Sequence, residues 1–230
     1  LGYYTRSTQI TDVAVGTIGE ILNAVTYPLF ASIQSDRKRL ITVYSKMLSM
    51  TAFIVFPVMT LLAVLAFPLV RLVLTDKWLS AVPLIQWLCF ARILTPISVL
   101  NMNILNAIGR SDLYLKVDLM KLPVIVLTMI FTIPLGVKAV VVGNLVSTII
   151  CYFINTYYPG KLFGYGGFKQ LKGCIKIILS TGCMVMVLIP VLNICTSCLE
   201  QLIVGVLLGP LIYIVVAYLG KVEDLSEIIK

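Results

Sequence analysis

Seven stretches of predominantly apolar residues, each close to the roughly twenty needed to cross the hydrocarbon of a bilayer, dominate this sequence. They run from Thr8 to Ile33, Met47 to Leu74, Ala81 to Ile108, Leu119 to Leu135, Ala139 to Tyr158, Cys174 to Ile194 and Leu202 to Leu219. Charged residues are only 12% of the chain and hydrophobic ones 60%, against about 25% charged in a soluble domain. The fold class is therefore an all-α integral membrane protein of about seven transmembrane helices. The second and third stretches are long enough to tilt or bend, and Pro57, Pro68, Pro83 and Pro96 are the expected kink points. The chain opens on Leu1 with no apolar leader, so it is expected to begin inside a longer protein.

The net charge of +8 is distributed by loop. Bases crowd the connections after the first, third and fifth stretches: Arg37, Lys38, Arg39 and Lys46, then Arg110 and Lys116, then Lys161, Lys169 and Lys172. The intervening connections are poor in bases, although Arg71 and Lys77 lie near the second. By the positive-inside rule the basic loops are cytoplasmic, Leu1 starts on the outer side and the tail KVEDLSEIIK ends in the cytoplasm. Charge used in this way marks loop ends, and nucleic acid is not an expected partner.

Two carboxylates lie inside the first stretch, where a charge costs at least about 2.5–3.5 kcal/mol on insertion scales. At about 100° per residue, Thr5, Gln9, Asp12, Gly16, Glu20, Asn23 and Tyr27 fall within a sector of roughly 80°. That sector is expected to face a water-filled cavity or a partner in the bundle, and the opposite face, with Ala14, Ile18, Ile21, Leu22, Val25 and Leu29, to meet lipid. The third stretch repeats the device with Arg92, Thr95, Pro96, Asn103, Asn106 and Arg110. The fifth carries Asn144, Ser147, Thr148, Cys151 and Asn155 on one side, either as glue between helices or as a cavity wall. On polarity alone the first, third and fifth spans read as interior and the last two as peripheral. Asp118 and Lys121, three residues apart, read as a local ion pair or snorkelling groups.

Six cysteines and no histidine leave no mixed zinc site, and Cys195 to Cys198 is the one short spacing that admits a disulfide. The glycines of GYGG at residues 164–167 lack the remaining pattern of a phosphate loop and read as a turn. No cofactor is expected.

The segments LGYYTRSTQITDV (1–13), YPLFASIQSDRKRLITVYSKMLSM (27–50), FPVMTLLAVLAFPLVRLVLTDKWLSAVPLIQWL (56–88) and NAIGRSDLYL (106–115) resemble the second half of Wzx-type bacterial polysaccharide flippases. These form the polysaccharide transporter branch of the multidrug/oligosaccharidyl-lipid/polysaccharide exporter superfamily. The resemblance covers residues 1–158 and is carried by the order and spacing of motifs, none of them catalytic. It implies spans eight to fourteen of a fourteen-helix exporter. Residues 1–158 are then the second lobe without its first helix, and 159–230 two additional helices with a cytoplasmic tail. The missing N-terminal lobe of the same protein is an expected partner, with membrane lipid and the polysaccharide polymerase machinery.

The resemblance further implies export, by alternating access, of an undecaprenyl-diphosphate-linked oligosaccharide across the bacterial inner membrane in O-antigen or surface-polysaccharide biosynthesis. Arg92, Asn103, Asn106, Gln9, Asn23 and Tyr27 are the expected substrate-binding residues, the cation for the diphosphate or an acidic sugar and the amides and phenol for hydroxyls. Asp12 and Glu20 would repel a polyanion, so they are expected to pair with Arg92 or to bind a coupling proton or sodium ion. A multidrug or toxin cation antiporter of the same superfamily is the nearest alternative. A membrane enzyme lacks any acid–base or metal motif to carry it, and an assembly subunit would use the stripes only to bind partner helices.

Overall fold

The computed structural model describes residues 2–220 and Val222. Among the described residues nine of ten α-helices supply seven spans: α1 (Gly2–Ser32), α2 (Arg37–Val64) with α3 (Ala66–Val73), α4 (Val82–Arg92) with α5 (Thr95–Ala107), α6 (Ser111–Thr132), α7 (Val137–Phe163), α9 (Ile175–Ile194) and α10 (Cys198–Leu219). The short α8 (Gly167–Gly173) joins α7 to α9. Most helices overrun the apolar stretches that announce them. α1 begins in the LGYY motif and α2 takes in Arg37 to Lys46, because a helix continues past the hydrocarbon into the headgroup region while the apolar signal stops at its edge.

Proline sets the two breaks. A proline has no N–H for the carbonyl four residues earlier, so Pro68 releases Val64 and Pro96 releases Arg92. The second span breaks at Leu65 and the third at Ile93–Leu94. Pro83 lies in the first turn of α4, where its missing donor costs nothing. Pro57 sits inside a continuous α2, and the carbonyl it orphans, that of Phe53, accepts a hydrogen bond from the Tyr213 hydroxyl of α10 at 3.0 Å. In a bilayer no water can take that role, so Tyr213 substitutes for the lost helical donor.

The core is not where the polarity of the spans placed it. The second and third spans are the most buried, around Tyr44, Ala52, Met59, Ile85, Leu100 and Ile104. The first span, expected inside, is mostly exposed, and the sixth, expected at the periphery, is more buried than the first or fifth. α1 packs on α4 and α5 through Ser7, Thr11, Val15, Thr26 and Phe30, with Ala14, Ile18 and Leu22 against the same core. The face assigned to lipid is thus divided: Ala14, Ile18 and Leu22 pack on the core, since apolar and small side chains are what interdigitate, while Ile21 and Val25 are exposed as expected. The polar stripe of Gln9, Asp12, Glu20, Asn23 and Tyr27 is largely exposed, with Asp12 and Asn23 at its edge reaching α4 and α5.

α6 and α7 form a hairpin that packs on the rest mainly through α7. Its close approach needs Gly143: a Cβ there would stand 2.5 Å from Thr132 Cγ2 and 2.9 Å from Thr128 Cγ2. α9 and α10 pack on each other, and on α2 and α3. The GYGG segment is a turn, as expected: Gly164 closes α7 at φ +67° and Lys169 Nζ donates to its carbonyl at 3.2 Å.

Contacts between connections keep alternate ends together. Tyr3 donates from its hydroxyl to the Lys77 carbonyl at 3.2 Å and its ring meets Trp78 edge-on, while the Arg37 guanidinium donates to the Leu162 carbonyl at the other end of the bundle. Arg71, which weakened the charge alternation, is paired with Asp76 at 3.0 Å. Beyond Gly220 only Val222 is described, so the expected cytoplasmic tail lies outside the described residues.

Candidate functional site

The break in the third span puts Arg92 at the last residue of α4 with α5 starting three residues on, so a guanidinium and an interrupted helix coincide well inside a membrane span. Beside the break lies a groove of about 770 Å³ between α5, α6 and α7, closed at one side by α1. Arg92, Thr95, Ser98 and Asn103 line it from the third span, Asn23 from α1, and Tyr114, Asp118 and Lys121 from α6. α7 contributes Asn144, Ser147, Thr148, Cys151 and Asn155, the whole polar stripe of that helix.

Of the residues expected to bind substrate, the structure brings Arg92, Asn103 and Asn23 to this groove. Asn103 Nδ2 donates to Asn23 Oδ1 and to Thr26 Oγ1, both at 2.9 Å, which ties α5 to α1. Interhelical hydrogen bonds of this kind contribute about 0.6 kcal/mol each on average, so they set orientation more than stability. Gln9 accepts a hydrogen bond from Arg6 on the exposed face of α1 at 2.9 Å, and Tyr27 is exposed further along the same face. Asn106 is partly buried, and neither it, Gln9 nor Tyr27 is among the residues lining the groove.

The two carboxylates of α1 take different places. Asp12 Oδ1 lies 2.9 Å from Arg92 Nε, an ion pair between α1 and α4. The Nε–H does not point along that line, so charges touch without an aligned hydrogen bond. Glu20 is exposed with no ion pair among the described residues. Arg110, at the far end of the third span's polar sector, is turned outside the groove and holds Asp112 in a two-pronged contact at 2.8 and 3.0 Å. The hydrogen bond to Asp112, and then its charge, raise the Arg110 pKa above its ordinary value.

Two features escaped sequence reading. Lys121 and Asp118 do pair, at 2.5 Å, but they do so in the groove wall, where Lys121 is a second interior cation. Their spacing signals the pair; only the packing of α6 over α7 places it. The second is a buried polar cluster of Tyr44, Asn101, Tyr152 and Gln170, on α2, α5, α7 and α8. Tyr44 donates to Asn101 Oδ1, Gln170 Nε2 lies 2.9 Å from that oxygen and 3.1 Å from the Tyr44 hydroxyl, and Tyr152 donates to the Gly167 carbonyl at 3.1 Å. Its members are scattered over 126 residues with no common spacing, so no periodicity could reveal them. All six cysteines are free, Cys195 and Cys198 included.

Residues 1–83 match a family described as polysaccharide biosynthesis protein. The lipopolysaccharide biosynthesis protein WzxC of Escherichia coli (strain K12) is 29% identical over 158 residues, 66% of this chain and 32% of its own length. An uncharacterised membrane protein in the cps region of Klebsiella pneumoniae is 29% identical over 67% of this chain and 31% of its length. The teichuronic acid biosynthesis protein TuaB of Bacillus subtilis (strain 168) is 31% identical over 113 residues, 49% of this chain and 23% of its length. The chain spans about a third of the length of the first two relatives. No solved structure matches it.

Proposed function

We propose that this multi-pass membrane protein is a member of the Wzx-type polysaccharide biosynthesis family and forms part of a flippase for lipid-linked oligosaccharides. The observation that carries this reading is the polar groove beside a broken span, set in helices that are otherwise apolar. A sugar–diphosphate head group is too polar for bulk hydrocarbon, and a groove of amides, hydroxyls and two cations gives it an alternative solvent while the polyprenyl tail stays in lipid.

In this reading the carrier is undecaprenyl diphosphate, and Arg92 and Lys121 attract its phosphates or an acidic sugar. Asn23 and Asn103 hold the α1 and α5 walls in register and meet hydroxyls. The exposed polar stripe of α1, with Gln9, Glu20 and Tyr27, faces the shared cavity of the full exporter, where the other lobe completes the enclosure and Asp12 or Glu20 takes up the coupling ion. Residues 1–158 act as the second lobe and 159–230 brace it. The basic loops face the cytoplasm of the bacterial inner membrane and the start of α1 faces the periplasm. Transport by alternating access moves a substrate and makes or breaks no covalent bond.

The test is export in a strain lacking its own flippase for a matching glycan, with the full-length protein supplied. Restored surface polysaccharide, and lipid-linked repeat trapped inside when Arg92→Ala replaces the parent, is the expected result. Failure of the well-expressed parent on several glycans, together with efflux of cationic drugs, would move the reading to an antiporter.

A further inference from the structure

Resting on that reading, we infer that the α7 wall of the groove is an acceptor ladder that binds the glycan itself, laid along the helix. The charges in the groove already have partners: Arg92 faces Asp12 at 2.9 Å and Lys121 faces Asp118 at 2.5 Å. Asn103 is satisfied by Asn23 and Thr26. The side-chain oxygens Asn144 Oδ1 and Asn155 Oδ1 are different: both are buried, and both receive no hydrogen bond among the described residues. Asn155 is only 4% exposed, yet it lines the groove.

A buried acceptor left unsatisfied costs about 1–3 kcal/mol, so amides serving only as glue between α6 and α7 would be expected to find partners across that interface. Instead α7 meets α6 at Gly143, against the methyls of Thr128 and Thr132. Ser147, which also lines the groove, donates to the Asn144 backbone carbonyl at 3.0 Å.

The orphaned atoms are acceptors, so their ligand brings donors, and the ionised diphosphate diester of a lipid carrier brings none. A metal cation would satisfy acceptors too, but the geometry rejects one ion for both. Asn144 and Asn155 are eleven residues apart, about 16 Å along an α-helix at 1.5 Å per residue. Oxygen ligands of one cation lie within about 2.6 Å of it. An extended chain of hydroxyls is the chemistry that reaches both, with Ser147, Thr148 and Cys151 between them on the same face. The opposite wall carries Leu115, Leu119 and Leu122 beside Tyr114, Asp118 and Lys121, and these leucines suit the C–H faces of sugar rings.

Cys151, a free thiol between the two amides, reports occupancy without relying on transport. The experiment uses the purified full-length protein with Cys151 as its only accessible thiol and follows maleimide labelling. The probes are the oligosaccharide released from the host strain's own lipid-linked repeat, inorganic pyrophosphate, and sodium chloride. Protection at least about fivefold by the oligosaccharide, lost in Asn144→Leu and Asn155→Leu proteins with parental thermal unfolding, is expected. Labelling unchanged by the oligosaccharide, or slowed only by pyrophosphate or sodium, overturns the ladder. In cells, both variants should lower export of the complete repeat about tenfold, whereas a carrier bearing one sugar should lose export in at most one of them. Equal losses for both cargoes in both variants would also overturn it. A parent that shows oligosaccharide protection but restores no export would refute the flippase reading and leave the ladder standing.

Discussion

Arg92 Nε and Asp12 Oδ1 stand 2.9 Å apart across the α4–α1 contact, yet the donor hydrogen is not aimed at the carboxylate. The side chains are 27% and 52% exposed, so the pair is one that a ligand can open. Half-exposed pairs contribute about 0–1 kcal/mol. Arg92→Ala and Asp12→Asn should therefore each change unfolding free energy in detergent by no more than about 1 kcal/mol, while Arg92→Ala abolishes export. A loss above about 3 kcal/mol would identify a buried structural pair instead and separate Arg92 from transport.

Tyr213 and Pro57 should behave as a coupled pair although their side chains have no common chemistry. Tyr213→Phe strands the Phe53 carbonyl and should cost about 1–3 kcal/mol. Pro57→Ala returns a backbone N–H to that carbonyl, so the double variant should recover at least half of the loss. Additive effects in an unfolding titration would show that the Tyr213 hydroxyl does not substitute for the missing helical donor.

The Tyr44–Asn101–Gln170–Tyr152 cluster joins four helices at a fully buried site, so removing one member leaves several polar atoms unpaired. Gln170→Leu should destabilise by more than Tyr44→Phe, since Gln170 also donates to the Tyr165 carbonyl at 3.0 Å. About 3 kcal/mol or more is expected for the first and 1–3 kcal/mol for the second, by unfolding in detergent. Equal and small effects would mean that the cluster relaxes freely.

Gly143→Ala should destabilise by about 1–3 kcal/mol through overpacking. The methyls it meets cannot swing away: Thr132 and Thr128 each donate to a helix carbonyl one turn back, at 2.7 Å. Thr132→Ser keeps that hydrogen bond and removes the nearer methyl, so it should rescue most of the loss. Failure of the rescue, measured on the same unfolding assay, would place the strain elsewhere.

Sidedness is testable with thiols. A membrane-impermeant maleimide applied to intact cells should label the native Cys198, on a connection poor in bases, and spare a cysteine placed at Ser35 beside the basic Arg37–Arg39 run. The reverse pattern would invert the orientation assigned from charge.

The sequence by itself determined seven membrane helices, because about twenty apolar residues in a row have few alternatives in water or lipid. It also determined the alternation of basic loops and the prolines at which a span can break, since each lacks an N–H, whereas Pro68 and Pro96 break their spans and Pro57, whose orphaned carbonyl Tyr213 meets, does not. The polar faces of α1 and α7 were legible for the same reason: angular position on a helix follows from residue number. Which way those faces point was not. Most of the α1 stripe is exposed, with only Asp12 and Asn23 meeting α4 and α5, while the α7 stripe lines the groove, and a period alone cannot distinguish them. That choice belongs to tertiary packing, where Ser7, Thr11 and Val15 fit α4 and α5 and Gly143 fits α6. Likewise Lys121 became a groove cation, and Tyr44, Asn101, Tyr152 and Gln170 a cluster, only when helices distant in sequence met. Hydrogen bonds between such positions depend on three-dimensional neighbours, for which a linear pattern carries no signal.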